Sequence, residues 1–247
     1  MDYLSEHAEE RGVSFAELSR GTEMNKSTLL RLLAPLQDFA LVEQDPLSDR
    51  YRVGVKSLQW AEACIAGLRL RHIAVPFLRE LMEASHETVH LVVYDHGHVV
   101  YIDKVESSNT IRMFSRIGSR MPAYCTAVGK SFLAYLPESA FEDAVTQGFT
   151  HRTDNTLTTP EALRDDLERI RLRGYAVDDE ENEAGVRCIG APIFDHSARV
   201  AAALSVSGPT SRITPEQVEH LGRLVKGVSE QISEHLGFRL SRFTLNV

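Results

Sequence analysis

The stretch NKSTLLRLLAPLQDFALVEQDPLSDRYRVG, Asn25 to Gly54, is one helix-forming run followed by two short extended runs around a polar turn. Asn25 is a helix-capping residue type, and behind it Leu29, Leu32, Leu33 and Leu36 recur at helical spacing on one face. Lys26, Ser27, Thr28 and Arg31 lie on or near the other face, which therefore offers cations and hydrogen bonds. The segment after the helix reads as a strand, Asp45 to Asp49 as a turn, and the return strand carries Arg50 and Arg52. Upstream, Ser14 followed three residues later by Glu17 is a capping-box pattern, with Phe15 and Leu18 as an apolar face and Gly21 as a turn. A short capped helix, a tight turn, a second helix and a basic hairpin in this order predict a winged helix-turn-helix.

Such a unit places its second helix in the major groove and its wing against phosphates. The pattern therefore nominates Asn25, Lys26, Ser27, Thr28 and Arg31 for the groove and Arg50 and Arg52 for the backbone of double-stranded DNA. The plain alternative is a solvated amphipathic face, and the order of the elements outweighs it. Pro35 works against the second helix, because a proline there removes a backbone donor and costs about 3 kcal/mol or bends the helix near Arg31.

From Val55 to about Ser85 the pattern is helical and interrupted by Pro76. Leu58, Ala61, Ile65 and Leu68 form a stripe with Trp60 and Cys64 near it, a candidate dimer seam or a packing face for the neighbouring domain. The remainder alternates strand and helix. ETVHLVVYD and HVVYIDKV form a hairpin about His96-Gly97, TIRMFSRIG reads as a strand and TAVGKSFLAYL as a helix. A further helix runs from the Thr159 cap and Pro160 to Gly174. The acidic YAVDDEENEAG leads to two apolar strands, GVRCIGAPIFD and VAAALSVSGP, and to a last helix opened by Thr214-Pro215. The expected organisation is α+β: a reader over 1–54, a linker helix over 55–71 and an α/β domain over 72–247.

Composition limits the rest. With 43% hydrophobic and 25% charged residues in 247, the chain is ordinary for a soluble globular protein. It has no apolar run of the roughly 20 residues needed to cross a bilayer and no signal-peptide pattern, so a cytoplasmic protein without membrane attachment is expected. Three widely spaced cysteines argue against a disulfide framework. A net charge of -8 argues against nucleic-acid binding by bulk positive charge, though a dimeric reader needs only a few local cations. No P-loop, nucleophile elbow or dinucleotide fingerprint is present; TAVGKS lacks the earlier glycine of a phosphate cradle. His86, His90, His96 and His98 invite a metal reading, but hairpin histidines are more often simply exposed, and neither metal nor cofactor is expected.

Cys188 sits in ENEAGVRCIGAPIFD, Glu181 to Asp195. As a nucleophile it would need a base and an oxyanion hole that the sequence does not assign. Its company points elsewhere, with Asp178 to Glu181 before it and Ser205 and Ser207 alternating on the following strand. If the two strands are neighbours, Cys188, Ser205 and Ser207 line one polar patch in an apolar interior, suited to orienting a small ligand. The rival is an enzyme or thiol sensor using Cys188 or Cys125.

These segments together resemble the IclR family of bacterial transcriptional regulators over nearly the whole chain. The resemblance rests on NKSTLLRLL and LVEQDPLSDRYRVG, then on VVYIDKVES, MPAYCTAVGKSFLAYLP, RGYAVDDEENEAGVRCIGAPIFD and ALSVSGP. It implies a winged helix-turn-helix joined by a helix to a GAF-like effector-binding domain. It further implies a homodimer or dimer of dimers on a palindromic operator, and a regulator, more often a repressor, rather than an enzyme. The positions matching the family's small-molecule pocket are Thr126, Ala127, Val128, Asp178, Cys188, Ser205 and Ser207, with Met113, Tyr124 and Gly190 as further lining residues. IRMFSRIGSRMPAYCTAVGK is most similar to regulators of sugar-acid breakdown, those responding to 2-keto-3-deoxygluconate among them. The chain departs from the pattern in beginning inside what resembles the first helix of the DNA-binding unit, and in Pro35.

Overall fold

Two side-chain caps organise the N-terminal end of the chain. Ser14 Oγ accepts the Glu17 N–H at 3.3 Å while the Glu17 carboxylate accepts the Ser14 N–H at 2.7 Å, which starts a helix that ends at Gly21. Asn25 Oδ1 accepts the Thr28 N–H at 2.9 Å and starts the next, Lys26–Asp38. The computed structural model describes residues 1–7, 12–66, 69–110 and 115–239, which fall into two units, Met1–Leu68 and Arg69–Val247.

The first unit runs α1 (Asp2–Glu6), α2 (Phe15–Gly21), α3 (Lys26–Asp38), β1 (Val42–Gln44), β2 (Tyr51–Val53) and α4 (Lys56–Ala66). Leu4, Val13, Leu18, Leu29, Leu33, Val42 and Tyr51 form its core. Leu32 does not join them; it is 44% exposed, because so small a core covers only the narrow seam of Leu29 and Leu33 with Leu36 at its edge. Nor does Pro35 end α3. It lies in the last turn, where it removes the N–H that would bond to the Arg31 carbonyl, yet α3 runs on to Asp38 and the Pro35 carbonyl accepts the Phe39 N–H at 3.0 Å. The hairpin β1–β2 is antiparallel with Gln44 opposite Tyr51, and Asp45 Oδ1 closes the wing by accepting the Leu47 and Ser48 N–H groups at 2.9 and 2.8 Å. Of the expected stripe on α4, Leu58 and Trp60 are exposed. The side chains of Cys64, Ile65 and Leu68 lie outside the described residues.

The second unit contains α5 (Arg69–Ser85), β3 (Thr88–Asp95), β4 (His98–Val105), β5 (Arg120–Pro122), α6 (Ala127–Leu133), α7 (Glu138–Thr146), α8 (Pro160–Arg173), β6 (Ala176–Asp179), β7 (Val186–Phe194), β8 (Val200–Pro209) and α9 (Pro215–His235). Pro76 lies inside α5 without interrupting it, contrary to the expected break. The strands form one antiparallel sheet in the order β5-β4-β3-β8-β7-β6. His96 and Gly97 both take positive φ, 43° and 77°, the geometry of the tight hairpin turn read from the sequence. Of the strand expected in TIRMFSRIG, residues 111–114 lie outside the described residues and Ile117-Gly118 is a turn. The helix α7 and the edge strand β6 went unread in the sequence.

Alternation gives the sheet two apolar faces. Val89, Leu91, Ile189, Leu204 and Val206 are fully buried on the face covered by α5 and α9. On the other, Val128 and Phe132 of α6 pack on Val92, Val99 and Ala203. Gly129 fixes how closely α6 approaches the segment before it, since a Cβ there would lie 2.3 Å from both Cα and O of Ala123. Those contacts are backbone and cannot rotate away. Gly129→Ala is therefore expected to destabilise this unit by about 1–3 kcal/mol or more, read as a lower Tm for its transition; an unchanged Tm would show that α6 is free to shift.

Candidate functional site

In the first unit the residues nominated for the groove divide into two groups. Asn25 and Ser27 bond to each other, the Ser27 hydroxyl donating to Asn25 Oδ1 at 2.8 Å, so both are partly committed to the cap of α3. Lys26 and Arg31 are exposed, and no described acidic side chain pairs with either. Leu30, 55% exposed, stands on the same surface, since 27, 30 and 31 are helical neighbours; the sequence reading passed over it.

The two wing arginines also differ. Arg50 turns inward, donating to Glu17 Oε2 at 3.1 Å and to Gly12 O at 3.4 Å, and so ties the wing to the capping box. Its side chain is thus partly committed within the unit, though still 30% exposed. Arg52 is well exposed and pairs with Glu43 at 3.1 Å.

In the second unit the strands carrying Cys188 and the serines are neighbours, the condition on which a shared polar patch depended. Cys188 pairs with Ser207 and Gly190 with Ser205; Asp178 on β6 pairs with Cys188, and His90 on β3 with Ser205. Paired residues share a face, so Asp178, Cys188 and Ser207 make one lateral row and Gly190, Ser205 and His90 the next. The start of α6 crosses over Gly190, where a Cβ would sit 2.9 Å from Ala127 C and 3.0 Å from Val128 N. Any side chain at 190 would push the helix off the sheet.

Between helix and sheet lies a cavity of about 10 Å³, room for a single water. Its walls are Thr126, Ala127 and Val128 from the helix start, Asp178, Cys188, Ser205 and Ser207 from the sheet, and also Tyr101 and Asn182. Tyr124 is not among them: its hydroxyl donates to Thr150 O and accepts the Thr150 N–H, both at 2.9 Å, with its ring against Phe149. Met113 lies outside the described residues. Tyr101 escaped the sequence reading because a bulge at Leu91/Val92 shifts the β3–β4 register and moves the cavity face of β4 from even to odd positions.

The cavity's groups are neutral or nearly so. Burial, then the Glu181 charge, push the Asp178 carboxyl up to about 7 against the opposing pull of Lys130 and of two backbone donors, Glu181 N at 2.8 Å and Asn182 N at 3.2 Å. Beneath the wall, fully buried Lys130 donates to Asp166 at 2.7 Å and to Glu181, so one cation faces two carboxylates. Burial likewise raises both thiols, Cys125 to about 12 and Cys188 further, with the nearby Asp178 charge adding to each. Neither is a thiolate at neutral pH, and the site offers no activated nucleophile. Among the described residues no three His, Cys, Asp or Glu side chains gather as a metal site, and no helix is long and apolar enough to cross a membrane.

Comparison with known proteins agrees with this geometry. Residues 1–46 match the IclR helix-turn-helix domain and residues 62–234 the bacterial transcriptional regulator IclR C-terminal domain. The chain is 35% identical to the HTH-type transcriptional regulator KdgR of Escherichia coli strain K12, over 93% of this chain and 88% of that protein. It is equally identical, at 35%, to the transcriptional repressor IclR of the same organism over 92% of this chain and 84% of that one. The crystal structure of the Thermotoga maritima IclR superposes with a TM-score of 0.71 at 37% identity, covering 92% of both chains. These relatives are transcriptional regulators and not enzymes, and the comparisons give no support to the thiol-sensor alternative. The chain belongs to the IclR family of bacterial transcriptional regulators.

Proposed function

We propose that the chain is a repressor that reads a palindromic operator in duplex DNA as a dimer or dimer of dimers, and that it is controlled by a small organic acid, of the sugar-acid class, held beneath α6. The observation that supports the reading is that seven of the positions matching the family's pocket, Thr126 to Val128, Asp178, Cys188, Ser205 and Ser207, line one small cavity. On this reading residues 1–54 read DNA, 55–71 connect and 72–247 bind the effector. Lys26 and Arg31 at the open start of α3 contact base edges and phosphates, the Leu30 side chain suits a thymine methyl, and Arg52 supplies the wing contact. Arg50, partly engaged by Glu17 and Gly12, is the second wing candidate beside it. In the cavity the serine and tyrosine hydroxyls and the Val128 N–H suit a carboxylate, and Asp178 suits the hydroxyls of a polyol acid.

Two predictions follow from these assignments. Arg31→Ala is expected to cost about 1–3 kcal/mol of affinity for the operator beside the protein's own gene, and Lys26→Ala to reduce the slope of log affinity against log salt by about 1. Gel shifts across a salt series measure both, and wild-type affinity in both variants would move the interface elsewhere.

For the effector, a thermal-shift screen of hydroxy and keto acids should find a binder that stabilises the fold by about 2.7 kcal/mol at a hundredfold excess over Kd. Binding should also depend on pH with a definite sign. The empty site holds the Asp178 proton below about pH 7 and releases it above, whereas an anion bound beside it holds the proton on. Affinity therefore falls as pH rises beyond about 7, by at most about tenfold per unit for one proton. Asp178→Asn, which keeps the oxygen that accepts the two backbone N–H groups, should flatten that dependence; an equal slope in both proteins would place the titrating group elsewhere.

A further inference from the structure

Behind the serines, and outside the cavity itself, is His90, only 2% exposed and bonded at both ring nitrogens. Nδ1 lies 3.3 Å from Ser207 Oγ, and Nε2 lies 2.8 Å from Ser115 Oγ on the connection between β4 and β5. Ser205 Oγ continues the line 3.4 Å beyond Ser207. The imidazole stands edge-on to the Tyr101 ring, 5.0 Å between centroids, and the charged group nearest in effect is Lys104, whose Nζ donates to Ser115 O at 2.6 Å and to Glu106 at 2.7 Å. Burial first, then Lys104, depress the imidazole to about 4, so it is neutral at physiological pH.

A neutral imidazole has one N–H and one lone pair, and a hydroxyl donates only one proton. The directions of all the bonds from Ser207 to Ser115 are therefore set by one tautomer. A carboxylate only accepts. When one binds at Ser207 that hydroxyl must donate to it, and a lone pair on Nδ1 would then face the Ser207 lone pairs without a proton between them. The ring has to carry its proton on Nδ1, leaving Nε2 to accept from the Ser115 hydroxyl.

We propose that His90 is the positioning residue that turns Ser207 into a donor toward the carboxylate of a bound acid, and that its tautomer transmits that choice to Ser115. The inference rests on the effector reading above and extends the site to two residues, His90 and Ser115, outside the cavity walls. A hydrogen bond received from Nδ1–H aims the Ser207 proton at the ligand and away from Ser205, and strengthens it as a donor. Without it, the Ser207 proton is shared with its neighbour.

The test uses the full-length chain labelled with ¹⁵N-histidine, titrated with a panel of hydroxy and keto acids that includes gluconate and pyruvate, with calorimetry in parallel. The resonances of His90 are assigned among the ten histidines by their loss in His90→Gln. With acid bound, the proton is expected on Nδ1 with Nε2 unprotonated, and Ser207→Ala should abolish that preference. His90→Phe should weaken acid binding about three- to tenfold, as for one oriented hydrogen bond, and His90→Gln, whose amide offers both a donor and an acceptor, should recover part of the loss. A proton on Nε2, a doubly protonated ring, or unchanged affinity in His90→Phe each overturns the proposal while leaving an effector pocket in place. Should wild type bind no acid in the panel, the effector reading itself falls and this inference with it.

Discussion

The approach of α6 to the sheet at Gly190 is the constraint on which the effector unit depends. With no side chain at 190, backbone meets backbone, and a Cβ would come within 3.0 Å of two atoms of the helix start. That contact lays Thr126, Ala127 and Val128 over the polar rows of the sheet, and it closes the space between them to about one water. Gly129 repeats the device one turn into the helix against Ala123. A space that holds about one water has to widen before it admits an organic acid.

The chemistry of the pocket follows from burial. A site this buried does not readily sustain an isolated charge: its Cys188 thiol and Tyr101 hydroxyl are pushed up and stay protonated, its aspartate is raised to about 7, and His90 behind the serines is held neutral. Lys130 is the exception, and Asp166 and Glu181 hold it below the cavity wall. The reader unit is arranged the other way, with Lys26 and Arg31 in solvent and Arg50 turned inward on Glu17.

Much of this was legible in the sequence, for identifiable reasons. Caps and turns are local, and Ser14, Asn25, Thr159, Gly174 and the His96-Gly97 turn all do what their residue types suggest. Period-two alternation was enough to bring Ser205 and Ser207 to one face, whereas the pairing of Cys188 with Ser207 came only with the β7–β8 register. The chain's family resemblance, not its periodicity, supplied Thr126 to Val128 and Asp178. What stayed hidden depends on long-range register. Tyr101 lies behind a bulge, Asn182 in a turn, and His90, in sequence one of several hairpin histidines, acquires its partners only when β3 lies beside β8. Pro35 and Pro76 misled because propensity penalises a proline inside a helix, whereas both α3 and α5 continue through theirs.

The central claim is that operator and acid act on one equilibrium, and linkage gives it a quantitative form. Operator affinity should be measured with and without a saturating acid effector, and effector affinity with and without saturating operator, on the full-length protein. The account predicts that the two ratios are equal and differ from one by roughly 5- to 150-fold, the usual range of coupling between sites. A ratio of one in both directions, with both ligands bound, would contradict it.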